Sequence, residues 1–181
     1  SLFFSLSKEG TENVPREGGA LLASNHASFL DPLFIGPACS RQVRFMARDS
    51  LFERFGFGGL ITSVGAFPVK RGGVSVDAFH KALELLEAGW VVLVFPEGTR
   101  TCDGRVQPFK TGISMLAERS GVPVVPVAVD GSFRVWPRHR ALPRPAAVKV
   151  SFGEPLSYRG QGYESFASEV RRRVESMMGG K

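Results

Sequence analysis

The 181-residue chain is poor in the side chains that usually announce chemistry, with two cysteines, two tryptophans, two tyrosines and three histidines. Cys39 and Cys102 form no paired motif, which argues against a disulfide framework and fits free thiols in a reducing compartment. No metal-ligand cluster is visible, so no metal is expected. No run approaches the roughly 18 apolar residues of a membrane-crossing helix. Leu2-Phe3-Phe4-Ser5-Leu6 is too short, and lacks the basic flank, for a cleavable signal peptide. An anchor ahead of Ser1 stays open. An arginine-rich tail, zinc-finger spacing and aromatic RNA-binding strands are all missing, so nucleic acid is not an expected partner. No internal repeat or long linker divides the chain, which reads as one domain over 1–181.

What is present is apolar and basic. Hydrophobic residues make up 43% of the chain, with fifteen Phe, which favours a packed core over disorder. The net charge of +6 favours polyanions, either an anionic membrane or phosphorylated small molecules.

Short apolar runs alternate with helical patterns. Ala20 to Ser24 reads as a buried strand, leaving His26 in the loop that follows. Asp31-Pro32 then reads as a helix start, with Asp31 as N-cap and Gly36-Pro37 weakening the end. Further strands are expected over 42–48, at the edge-like 66–71, over the buried 90–95, over 122–129 and over 148–152. Helices are expected over 74–87, with Val76, Phe79, Leu83 and Leu86 on the apolar face, and over 112–119. An amphipathic helix is expected over 163–178, with Phe166, Val170, Val174 and Met177 inward. The alternation predicts an α/β fold, a layered and largely parallel (mixed) central sheet flanked by helices, with sites just after the strands.

Two loops carry the chemistry. His26 is the one histidine with an aspartate, Asp31, five residues on. On a regular helix that spacing separates side chains by about 140°, so contact requires His26 outside the helix and Asp31 at its start. An imidazole held by a carboxylate at one nitrogen can take a hydroxyl proton at the other. No Gly-x-Ser-x-Gly elbow occurs, so direct attack by a substrate hydroxyl is more natural than a covalent acyl-enzyme. Phe95-Pro96-Glu97-Gly98-Thr99-Arg100 leaves a buried strand in a tight turn. Gly98 permits close ligand approach that a side chain would block, backbone N–H groups of the turn could meet phosphate or an oxyanion, and Arg100 could pair with phosphate. Lys70-Arg71-Gly72-Gly73 and Lys110 add cations compatible with phosphate binding. His80 reads as a residue of an amphipathic helix and His139 as a solvated basic loop residue.

These residues resemble the glycerophosphate and lysophosphatidate acyltransferases in four ordered blocks over about residues 8–155. Asn25-His26 to Asp31 resembles the His-x4-Asp block, and Ala66 to Gly73 the block with an Arg after a short strand. Phe95 to Arg100 matches the third block as it stands, and Val122 to Ala128 resembles the fourth. The resemblance implies a glycerophosphate-acyltransferase-like fold. It also implies transfer of a fatty acyl group from acyl-CoA or acyl carrier protein to 1-acylglycerol-3-phosphate, giving phosphatidic acid in phospholipid biosynthesis. His26 would be the base and Asp31 its orienting partner. Arg71, Glu97 and Arg100 would hold the acceptor, with Gly98 and Thr99 shaping the turn. No cofactor beyond the acyl donor is implied. The enzyme would act peripherally at the cytoplasmic membrane face, on an anionic membrane surface. Glycerol 3-phosphate or another lysolipid as acceptor, a thioester hydrolase and an idle lipid-binding module are the alternatives. Two features depart from the family pattern: the upstream hydrophobic segment is missing, and the segment Arg134 to Arg140 matches no block and reads as a variable surface loop.

Overall fold

The computed structural model describes residues 4–48, 59, 62, 65–69 and 76–179. Within them lies a seven-stranded sheet in the order β1-β7-β6-β2-β5-β3-β4. The strands are β1 (Phe4–Glu9), β2 (Ala20–Ser24), β3 (Val43–Arg48), β4 (Ala66–Val69), β5 (Val91–Val94), β6 (Val124–Asp130) and β7 (Ala146–Phe152). β6, β2, β5, β3 and β4 are parallel to one another, while β7 pairs antiparallel with β6 and parallel with β1. The sheet is therefore mixed and largely parallel, as expected.

Alternation along the central strands builds the layers. Leu22, Val91, Leu93, Val125 and Val127 face one side, where they meet Phe34, Ile35 and Ala38 of α1 (Asp31–Ala38) and Val135 of α4 (Ser132–Val135). Leu21, Ala23, Val92, Val94 and Val124 face the other. There they pack on α2 (Val76–Glu87), α3 (Gly112–Ser120) and α5 (Tyr163–Met177). Strands covered on both faces have no polar side, which is why β2 and β5 are buried at every residue.

Several expectations need correction. Asp31 is the first helical residue rather than the N-cap, a position taken by Leu30, and it makes no cap hydrogen bond. α1 also runs through Gly36-Pro37 to Ala38, and the Cys39 N–H still closes it onto the Ile35 carbonyl at 2.9 Å. On α2 the buried positions are Ala78, Ala82 and Leu86, four residues apart, and Val76 is 72% exposed. Met177 of α5 is only half-buried, whereas Phe166, Val170 and Val174 are inward as expected. β1 is not expected from the sequence, since its apolar alternation stops after Phe4 and Leu6 and gives way to Ser7, Lys8 and Glu9. It is a solvated edge strand held by the β7 ladder and by a Lys149–Glu9 ion pair at 2.8 Å. The Phe-rich stretch 51–61, apart from Gly59, and Lys70 to Gly73 lie outside the described residues.

Pro126 sits inside β6, where a missing N–H normally breaks a ladder. Val124 exchanges both backbone hydrogen bonds with Leu156, and the Pro126 carbonyl takes the Gly153 N–H at 2.8 Å. The absent donor thus faces the irregular stretch between Phe152 and Leu156, where no ladder bond is required.

Among the described residues, no helix is long and apolar enough to cross a membrane. Phe166 is fully buried where α5 covers the sheet. Phe166→Ala is expected to cost about 3–5 kcal/mol in urea unfolding. Val76→Ala is expected to stay within about 0.5 kcal/mol, which separates the observed α2 face from the one the spacing predicts.

Candidate active site

Because β2, β5 and β6 are parallel, the loops leaving them emerge at the same end of the sheet. The loop after β2 carries residues 25–30 and the loop after β5 carries residues 95–111. Asn25 fixes the start of the first loop to β6. Its Nδ2 donates to the Val129 carbonyl at 3.1 Å, and its Oδ1 accepts the Val129 N–H at 2.8 Å. The side chain thereby extends the sheet ladder by one rung.

Asp31 is completely buried, and its Oδ2 accepts three donors. These are the backbone N–H groups of Ala27 at 2.7 Å and Ser28 at 2.8 Å, and the His26 imidazole at 2.8 Å through Nδ1. The geometric requirement read from the spacing is met: His26 lies in the loop and Asp31 opens the helix, with its carboxylate turned back toward the loop. An acceptor at Nδ1 selects the tautomer with the proton there and leaves Nε2 basic. The His26 ring stacks on Phe95, with centroids 3.9 Å apart and planes 18° apart.

The two loops join through His26 itself. Its backbone N–H donates to Glu97 Oε1 at 2.8 Å, and its carbonyl accepts the Thr101 N–H at 2.8 Å. Sequence reasoning placed Glu97 with the acceptor, but its buried side chain turns onto the His26 backbone. Burial pushes the Glu97 carboxyl up to about 7, against the lowering effect of the hydrogen bond from the His26 backbone. Gly98 adopts φ 74°, a left-handed conformation, and the Lys110 ammonium lies where a Gly98 side chain would project. The Gly98 N–H is engaged by the Phe95 carbonyl at 2.9 Å, so it is not among the backbone donors available to a ligand. Thr99 is exposed, and the Arg100 guanidinium lies 3.4 Å above the Phe29 ring. Lys110 therefore joins this turn, while Lys70 and Arg71 lie outside the described residues.

The sequence did not reveal the Phe95 stack, the Asn25 clamp or the position of Trp136. The Trp136 carbonyl accepts the Phe29 N–H at 3.3 Å, and its ring packs against Phe29 with centroids 5.3 Å apart. Asn25 and Phe95 lay inside the recognised blocks, but nothing in their spacing specifies a clamp or a ring stack.

The acyltransferase family model matches residues 5–130, more than half of the chain and every site residue just described except Trp136. The chain belongs to this acyltransferase family. The 1-acyl-sn-glycerol-3-phosphate acyltransferase of Bacillus subtilis is 30% identical over 146 residues, covering 80% of this chain and 70% of that protein. The chloroplastic 1-acyl-sn-glycerol-3-phosphate acyltransferase BAT2 of Brassica napus is 30% identical over 97% of this chain and 52% of its own length. The chain spans about half the length of the plant relatives that it matches over nearly its whole extent. The crystal structure of the 1-acyl-sn-glycerophosphate (LPA) acyltransferase PlsC from Thermotoga maritima superimposes with a TM-score of 0.83 at 31% identity. That match covers 95% of this chain and 70% of the other.

Glu97 binds its proton more tightly folded than unfolded, so its contribution to stability is complete below about pH 4.5 and is lost as pH rises toward 7. Glu97→Gln keeps an acceptor for the His26 N–H and removes the titration. In urea unfolding between pH 4.5 and 8, the wild-type chain is expected to lose more stability than Glu97→Gln. Parallel losses in the two proteins would contradict this assignment.

Proposed function

We propose that the protein transfers a fatty acyl group from a thioester, acyl-CoA or acyl carrier protein, to the free hydroxyl of 1-acylglycerol-3-phosphate, forming phosphatidic acid. The observation that carries the proposal is the 2.8 Å contact between His26 Nδ1 and the buried Asp31 carboxylate. This contact lies beside a turn bearing Arg100 and Lys110. The names of the relatives support the choice of acceptor.

In this reading the acceptor hydroxyl attacks the thioester carbonyl carbon while His26 Nε2 takes its proton. Asp31 stabilises the resulting imidazolium by charge and by the bond at Nδ1. Collapse of the tetrahedral intermediate reforms the carbonyl, breaks the carbon–sulfur bond and returns the proton from His26 to the departing thiolate. Arg100 and Lys110 hold the acceptor phosphate, with Lys70 and Arg71 contributing from the segment after β4. Glu97 acts through the backbone of His26 and is a positioning residue. Thr99 and Gly98 shape the turn that presents Arg100.

Purified protein supplied with acyl-CoA or acyl-carrier protein should esterify lysophosphatidate. His26→Ala should lower kcat about a hundred- to ten-thousandfold with the circular dichroism spectrum unchanged. Full activity in that variant would remove His26 as the base. Arg100→Ala is expected to raise KM for the phosphorylated acceptor and leave KM for the thioester alone; the opposite pattern would reassign Arg100 to the donor. Thioester hydrolysis with no ester product would contradict acyl transfer.

A further inference from the structure

The segment between β6 and β7 lies outside the four sequence blocks. From Gly131 to Gly153 there is no Asp or Glu, while Arg134, Arg138, Arg140, Arg144 and Lys149 are all basic. Lys149 is paired with Glu9, which leaves the four arginines as the charge of the connection itself. Topology sets its position. β6 runs parallel to β2 and β5, so its C-terminal end and the start of antiparallel β7 lie at the end of the sheet that carries His26 and Glu97.

The connection is braced from within. The Arg144 N–H donates to the Val135 carbonyl at 2.8 Å, Trp136 Nε1 to the Arg140 carbonyl at 3.0 Å, and Arg140 Nη1 to the Arg134 carbonyl at 2.8 Å. It is also fastened to the active site. Trp136 packs on Phe29, and Arg138 Nη1 approaches Thr99 Oγ1 at 3.5 Å. Trp136 is thus an internal brace. The apolar side chain presented outward is Leu142, 74% exposed and flanked on both sides by arginines. Phe29, 38% exposed, adds apolar surface beside Arg100.

We propose that the 134–144 connection is the surface by which this protein sits on an anionic lipid bilayer, with the His26 site at the contact. Acid-free clustered arginines complement a negatively charged leaflet, and a single protruding leucine suits insertion among acyl chains. An acidic protein partner would also meet the charge, but it gives no reason for Leu142 to stand alone in solvent. The proposal rests on the lysophospholipid reading, since an acceptor dissolved in a membrane must be met at its surface.

The test uses the full chain and sedimentation with vesicles of phosphatidylglycerol mixed into phosphatidylcholine, a readout that needs no activity. The variant is Arg134→Gln, Leu142→Ser, Arg144→Gln, because these three side chains make none of the hydrogen bonds described above. Each arginine near an anionic leaflet strengthens binding about fivefold, so losing two should weaken partition about 25-fold, and loss of Leu142 further. The Arg134→Lys, Arg144→Lys variant should bind like wild type, and wild-type binding should fall as salt rises. Activity on a short-chain lysophosphatidate dispersed as monomers should be unchanged in all variants. Wild-type affinity for the vesicles in the triple variant would overturn the proposal, as would a defect confined to acyl carrier protein as donor. Vesicle binding by a wild-type chain that never esterifies lysophosphatidate would contradict the functional reading and leave this surface standing.

Discussion

Three donors converge on one oxygen of Asp31, and the shape of the site follows from that convergence. Hydrogen bonds to a charged group are each worth about 1.5–3 kcal/mol. Burying a carboxylate costs several kcal/mol, so Asp31 is tolerable in the interior because the loop supplies Ala27 and Ser28 N–H groups along with the imidazole. The same contacts fold residues 26–28 back over the start of α1. Positioning His26 and satisfying the buried Oδ2 are one arrangement, while Oδ1 is buried without a hydrogen-bond partner.

Glu97 completes it from the loop after the neighbouring strand β5. Asp31 fixes the ring of His26, Glu97 and Thr101 fix its backbone, and the preceding residue, Asn25, is tied by its side chain to β6. Three parallel strands therefore determine where one imidazole stands. Precision of this kind is available at the C-terminal ends of adjacent parallel strands, because each loop leaves a rigid, fully buried element.

The central strands were legible because buried parallel strands are short apolar runs, and β2 and β5 lack polar residues almost entirely. His26 and Asp31 were legible for a different reason, since helix geometry limits how residues five apart can meet. Other features depended on tertiary contacts that no local pattern encodes. β1 is polar along most of its length and exists by pairing with β7. Val76 has the period of Phe79, Leu83 and Leu86, yet it opens α2 only two residues before the first buried residue, Ala78, and so lies on the opposite face. Glu97 appeared as a charged turn residue, whereas its neighbours bury it and direct it at a backbone N–H. Trp136 looked like part of a surface loop and is a brace between that loop and Phe29.

In the proposed reaction Asp31 holds His26 with its proton on Nδ1 and leaves Nε2 to accept one. Nitrogen chemical shifts of the His26 ring, recorded at about pH 9 where an ordinary imidazole is neutral, test it directly. A protonated-type shift is expected at Nδ1 and an unprotonated-type shift at Nε2, with that difference diminished in Asp31→Asn. A proton resident on Nε2, or the same tautomer mixture with and without the Asp31 carboxylate, would contradict it.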